Sequence, residues 1–127
     1  MMANDFSASK PIYKQIAEQL LKKMVREEIK PGEKLPSVRE LAVQTQVNPN
    51  TIQRTYNEME RMGVVETRRG QGTFVVENTE VIDELKREMR AEVIGQFVQS
   101  MEELGLSKQD MLSELDRYLQ KGDPNEH

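Results

Sequence analysis

The sequence predicts a mainly α fold with a small β-hairpin: a compact helical domain over residues 1–77, then a two-helix appendage over residues 78–127. Three observations carry this. Apolar residues recur at three- and four-residue intervals through most of the chain, the period of amphipathic helices. The period breaks once, between Val64 and Val76, where two short β-like runs flank Gly70-Gln71-Gly72. Capping residues, prolines and glycines fall between the periodic segments, where helices start and stop.

Taken in order, residues 1–10 read as a loose arm. Pro11 suits the first position of a helix, and Ile12, Ile16, Leu20 and Met24 recur every fourth residue, predicting a helix from about 11 to 29 stopped by Pro31-Gly32. Ser37-Val-Arg-Glu40 is a capping box, in which serine and glutamate satisfy each other's orphan backbone donors. It opens a short helix carrying Val38, Leu41 and Ala42. After Thr45-Gln46-Val47, Asn48-Pro49 offers a cap followed by a proline in the first turn. Ile52, Tyr56 and Met59 form the buried stripe of that third helix, and Gly63 suits its left-handed closing position. The expected strands are Val64–Thr67 and Thr73–Val76. Ile82, Leu85, Met89, Val93, Phe97, Met101 and Leu104 then mark one face of a helix of about 25 residues, roughly 37 Å long. Gly105 ends it, Ser107 caps a last helix bearing Met111, Leu112, Leu115, Tyr118 and Leu119, and Gly122 closes that one.

Composition excludes several kinds of chemistry. The chain has no cysteine, which removes disulfides, thiolate catalysis and cysteine–zinc sites. Its single histidine is the last residue, His127, where fraying argues against a catalytic or metal role. The eight methionines read as core filler, and no cofactor is implied. No run approaches the roughly 20 apolar residues of a membrane span and no apolar signal segment opens the chain, so the expected location is the cytoplasm.

The net charge of −4 is divided unevenly. Residues 1–77 hold twelve basic and ten acidic groups, a net of +2, and the remainder holds six and twelve, a net of −6. Such asymmetry points to the first half as the part that meets a polyanion. The carboxylates of the long helix, among them Glu80, Asp83, Glu84, Glu88 and Glu92, read as a solvated face.

Helix, helix, tight turn, helix and hairpin is the order of a winged helix-turn-helix, whose second paired helix enters the DNA major groove. If Ile52, Tyr56 and Met59 are buried, then Asn50, Gln53, Arg54, Asn57 and Arg61 share the opposite face, and none of the five is a carboxylate. Asparagine and glutamine pair with adenine, arginine with guanine. The competing reading is an ordinary solvated face. Arg39 stands in the first turn of the preceding helix, where the dipole disfavours a cation unless a phosphate docks there; a salt bridge to Glu40 is the alternative. Arg68 and Arg69 at a glycine-rich tip, with Gln71 at its apex, could reach phosphates or the minor groove. A plain hairpin with solvated arginines is the alternative there.

The run LPSVRELAVQTQVNPNTIQRTYNEMERMGVVETRRGQGTFV resembles the DNA-binding domain of the GntR family of bacterial transcription regulators, and the resemblance covers about residues 10–77. It includes PIYKQI in the first helix, PGEKLPSVRELA before and into the second, and RGQGTFV in the wing. The VNPNTIQRTY form and the short two-helix tail are similar to the YtrA subfamily, which implies a tail used for dimerisation and, often, control of transporter genes. Many relatives carry arginine near the start of the third helix where this chain has Pro49, so base reading there falls to Asn48, Asn50 and Gln53. The expected DNA-binding set is Ser37, Arg39, Asn48, Asn50, Thr51, Gln53, Arg54, Asn57, Arg68, Arg69, Gly70, Gln71 and Gly72.

The stripe from Ile82 to Leu104 is long for a monomer to cover, which predicts a homodimer through the C-terminal helices and a pseudopalindromic double-stranded operator. Two helices supply few walls for a pocket of about 300 Å³ or more, so a large effector site is not expected; a small effector between helices or at the domain junction is left open. The leading expectation is a dimeric repressor acting by occlusion. An interaction module on a winged-helix scaffold is the second reading. An enzyme is the third, and the chain offers no nucleophile–base pair for one.

Overall fold

The computed structural model describes residues 6–122, and the chain falls into two compact units, Met1–Lys86 and Arg87–His127. The expectations for His127 and for the first five residues of the arm lie outside the described residues. The elements are α1 (Ile12–Val25), α2 (Val38–Thr45), α3 (Pro49–Arg61), β1 (Val65–Arg68), β2 (Gly72–Val75), α4 (Thr79–Glu103) and α5 (Lys108–Lys121). The fold is thus mainly helical with one antiparallel hairpin, as the periodicity predicts.

In the first unit α1 and α2 pack on α3, and β1 follows α3 closely. Ile16 and Met24 of α1, Leu41 of α2, Ile52 and Met59 of α3, and Val64 and Val75 of the hairpin are almost completely removed from solvent. Burying each such side chain contributes about 1.5–3 kcal/mol before ordering costs. These positions are the stripes expected from the sequence. The capping box forms as expected: the Ser37 hydroxyl accepts from the Glu40 N–H at 3.0 Å and Glu40 Oε1 from the Ser37 N–H at 2.8 Å.

Two expectations are corrected near the start. Residues 7–10 are not loose: Gln15, buried, accepts from the Ser7 N–H at 2.7 Å and donates to the carbonyls of Ser7 and Lys10 at 2.6 and 2.7 Å. The first helix ends at Val25 rather than near 29, with Glu27 in the left-handed region at φ 63°. The stripe itself explains the early stop, because the position after Met24 on that face is Glu28, so another turn would bury nothing.

The strand bounds differ from expectation by one residue at each end, with Val65 paired to Val75 and Arg68 to Gly72. The added residue takes Arg68 off the tip and into β1. β2 is also stitched on its other side to the chain entering α2. Leu35 N–H donates to the Thr73 carbonyl at 2.8 Å, Val75 N–H to that of Glu33 at 2.9 Å, and Gly32 N–H to that of Val75 at 3.0 Å.

The second unit contains α4 from Arg87 on, then α5. Gly105 takes φ +82° after α4, and Ser107 with Asp110 forms a second capping box. The long stripe does not run unbroken into this unit, because Ile82 and Leu85 lie in the first unit and are buried. Among the described residues from Arg87 on, Met111 alone is buried, while Val93, Leu112 and Leu119 are 66%, 67% and 72% exposed. Phe97, Met101, Leu115 and Tyr118, with Glu114, Arg117 and Lys121, line an open cleft of about 820 Å³. The two helices therefore do border a volume above the expected limit, but on part of its boundary only.

Candidate nucleic-acid interface

The capping box of α2 settles what surrounds Arg39. Glu40 accepts from the Ser37 backbone first and its hydroxyl hydrogen-bonds in turn, which holds the Glu40 carboxyl below the ordinary carboxylate range. Engaged there, Glu40 makes no salt bridge to Arg39, which is exposed and has no ion-pair partner among the described residues. A free guanidinium beside the positive end of α2 is an arrangement that attracts an anion.

α3 is capped by Asn48, whose side-chain oxygen accepts from the Asn50 N–H at 2.7 Å, with Pro49 at the first position. Ile52, Thr55, Tyr56 and Met59 point inward, and Asn50, Gln53, Arg54, Asn57 and Arg61 are exposed. Thr51 is half-buried, and its carbonyl accepts from the Thr55 hydroxyl at 3.0 Å. Gln53 donates to the Asn57 side-chain oxygen at 2.9 Å, so the two amides lie as one polar strip with donors and acceptors left over. The Arg54 guanidinium lies over the Tyr13 ring, 4.0 Å from its centroid. Arg61 is ion-paired with Glu58 at the far end of the helix.

The wing departs from expectation at one residue. Arg68 ends β1 instead of sitting on the tip; its guanidinium stacks on Phe74, 4.1 Å from the ring centroid, and pairs with Glu66 at 3.0 Å. Arg69, Gly70 and Gln71 form the tip, closed by the Gln71 N–H donating to the Arg68 carbonyl at 2.9 Å, and Gly70 takes φ +75°. Arg69 is exposed and unpaired among the described residues.

These elements are joined through residues 32–37. That segment pairs with β2, and the Tyr56 hydroxyl of α3 donates to the Pro36 carbonyl at 2.6 Å, one residue before the α2 cap. Burial, then the charge of Glu40, pushes the Tyr56 phenol well above its ordinary value, so it stays a donor. Sequence reasoning missed two participants. Lys34 extends along the wing, where its Cε lies 2.9 Å from the position of a β-carbon on Gly72. Tyr13 underlies Arg54. Neither has a periodic signal, because both contacts join segments distant in sequence.

Among the described residues no cluster of His, Asp or Glu could hold a metal ion, and no helix is long and apolar enough to cross a membrane.

Comparison with known proteins agrees with this geometry. Residues 12–75 match the family described as bacterial regulatory proteins, gntR family. The chain is 59% identical over 121 residues to the HTH-type transcriptional regulator YhcF of Bacillus subtilis, covering 95% of this chain and 100% of that protein. It is 43% identical to the HTH-type transcriptional repressor YtrA of Bacillus subtilis, covering 77% of this chain and 76% of the relative. A solved GntR family transcriptional regulator from Listeria monocytogenes superposes with a TM-score of 0.84 at 37% identity, covering 88% of this chain and 98% of the other.

Proposed function

This chain belongs to the gntR family of bacterial regulatory proteins, which makes it a DNA-binding transcription regulator and not an enzyme, and from that premise we propose that it is a homodimeric repressor of a pseudopalindromic operator. In this reading α3 enters the major groove, with Asn50, Gln53 and Arg54 facing base edges and Asn48, Thr51 and Asn57 bordering them. Ser37 and Arg39 at the start of α2, and Arg69 to Gly72 on the wing, meet backbone phosphates. Lys34 joins that set.

The observation that carries the reading is the distribution of charge on the first unit. In a chain of net charge −4, the exposed positions of α3 from Asn50 to Asn57, namely Asn50, Gln53, Arg54 and Asn57, include no carboxylate, Glu58 and Glu60 coming only in its last turn. Arg39 and Arg69 are both unpaired among the described residues. Dimerisation is supported by the second unit, whose large apolar side chains are mostly exposed, Ile94, Leu115 and Tyr118 by 61%, 40% and 51%. A monomer leaves that surface in water, and a two-fold pairing of α4 and α5 with their copies would cover it. Repression is supported by the relative named as a repressor. An operator bound across a promoter excludes polymerase without further chemistry.

The test is selection of bound sites from a random duplex pool, followed by sedimentation of the complex. Recovery of an inverted repeat bound by two chains is expected. Enrichment of single, unrepeated half-sites bound by one chain would overturn the dimer, and no enrichment at all would overturn sequence-specific recognition.

A further inference from the structure

Tyr13 stands on α1, outside every element expected to touch DNA, yet α3 grips it twice. The Arg54 guanidinium covers its ring at 4.0 Å, and the Thr55 hydroxyl, its one proton shared with the Thr51 carbonyl at 3.0 Å, reaches its carbonyl at 3.1 Å. Thr55 is fully buried, so the Tyr13 backbone is fixed by the core. The ring, half-buried, thus projects from a fixed backbone beneath a side chain that is itself exposed.

A guanidinium lying on an aromatic face gives up only its π surface; the N–H donors in its plane remain free. Arg54 has no carboxylate partner among the described residues, so those donors are uncommitted. An exposed arginine otherwise samples many rotamers and must surrender them on binding, which weakens each contact it makes. Stacking selects one orientation beforehand.

We propose that Tyr13 is a positioning residue for DNA recognition: its ring holds the Arg54 guanidinium in the orientation in which its donors meet the duplex. The inference rests on the reading that the exposed face of α3 faces DNA. Through it the first helix, which has no base contact of its own, sets how strongly the third one binds.

The probe is a duplex enriched from a random pool by the wild-type protein, with binding measured at several salt concentrations and thermal melting recorded for every variant. Tyr13→Leu should weaken binding about three- to fivefold, and Tyr13→Phe, which keeps the ring, should bind as wild type. In an Arg54→Ala background Tyr13→Leu should add nothing, a coupling that a merely structural role would not produce. Arg54→Lys removes the planar donors and the stack together while leaving Tyr13 in place, so in that background too Tyr13→Leu should add little. The proposal is overturned if Tyr13→Leu weakens binding equally with and without Arg54, or if Tyr13→Phe loses as much as Tyr13→Leu, since the hydroxyl would then be the active group. If Arg54→Ala is silent while Arg69→Ala weakens binding, the positioning role falls and the DNA-facing reading survives. If no duplex is enriched, both fall.

Discussion

The Lys34 side chain lies across Gly72, its Cε only 2.9 Å from where a β-carbon on that glycine would stand. Gly72 is also at φ +121°, a conformation L side chains avoid. A residue before α2 and a residue at the start of β2 are thus fitted to each other. Gly72→Ala should destabilise the protein by about 1–3 kcal/mol, mostly through backbone strain, and swing Lys34 away from the wing. Chemical denaturation measures the first effect, and a flatter salt dependence of DNA binding reports the second. A variant as stable as wild type would contradict the close fit.

The Tyr56 hydroxyl predicts an alkaline limit to stability. Its folded pKa is raised, so the neutral phenol is the form the fold favours. The stabilisation is complete below the unfolded value of about 10 and declines as pH rises beyond it. Tyr56→Phe should flatten that decline. At neutral pH it should also cost about 1–2 kcal/mol, because the Pro36 carbonyl loses its donor. Urea unfolding at a series of pH values from neutral to strongly alkaline distinguishes the two variants.

The three arginines should separate by function. Arg39→Ala and Arg69→Ala should each weaken binding to every sequence and lower the salt slope by about one. Arg68→Ala should leave the slope nearly unchanged and instead destabilise the hairpin by about 0.5–1 kcal/mol, since its guanidinium is spent on Phe74 and Glu66. Gln53→Ala should relax the preference at one position per half-site, seen in a repeat of the site selection. Uniform weakening by Gln53→Ala would remove it from the base-reading set.

Two truncations should differ in stability. A chain ending at Glu77 loses Ile82 and Leu85, which are buried in the first unit. It should be less stable than one ending at Lys86 by about 1.5–3 kcal/mol for each side chain removed from the core. Both should sediment as monomers and bind an inverted repeat weakly. A dimer from either would move the pairing surface out of the second unit.

Glu27→Gly should stabilise the chain by about 1–2 kcal/mol. Glu27 is exposed and holds φ 63°, where a β-carbon meets the following carbonyl and glycine does not. A shift of the thermal midpoint upward is the expected readout, and no shift would mean that the left-handed position carries no penalty here.

What the sequence disclosed was whatever is written in local period and capping chemistry. The stripe of Ile52, Tyr56 and Met59 announced the face of α3 that turns inward, and therefore the exposed one. Ser37 with Glu40 and Asn48 with Pro49 announced two helix starts to the residue. Features that depend on which distant segments meet stayed hidden. Nothing near Arg68 signals that it would settle on Phe74, because the two meet only once the strands pair across the hairpin. Glu27 looked like a helical residue, since only the absence of a further apolar position marks the end of α1. Tyr13 sits beside a clear stripe and was eclipsed by it.

Because β2 is hydrogen-bonded along both flanks, to β1 and to residues 32–35, the hairpin leaves, among the described residues, one unpaired rim, that of β1. That rim is four residues long and carries Glu66 and Arg68, whose charges resist docking of a neighbouring backbone. The hairpin is therefore a poor template for cross-β growth, so a concentrated solution should resist fibre formation nucleated at the wing.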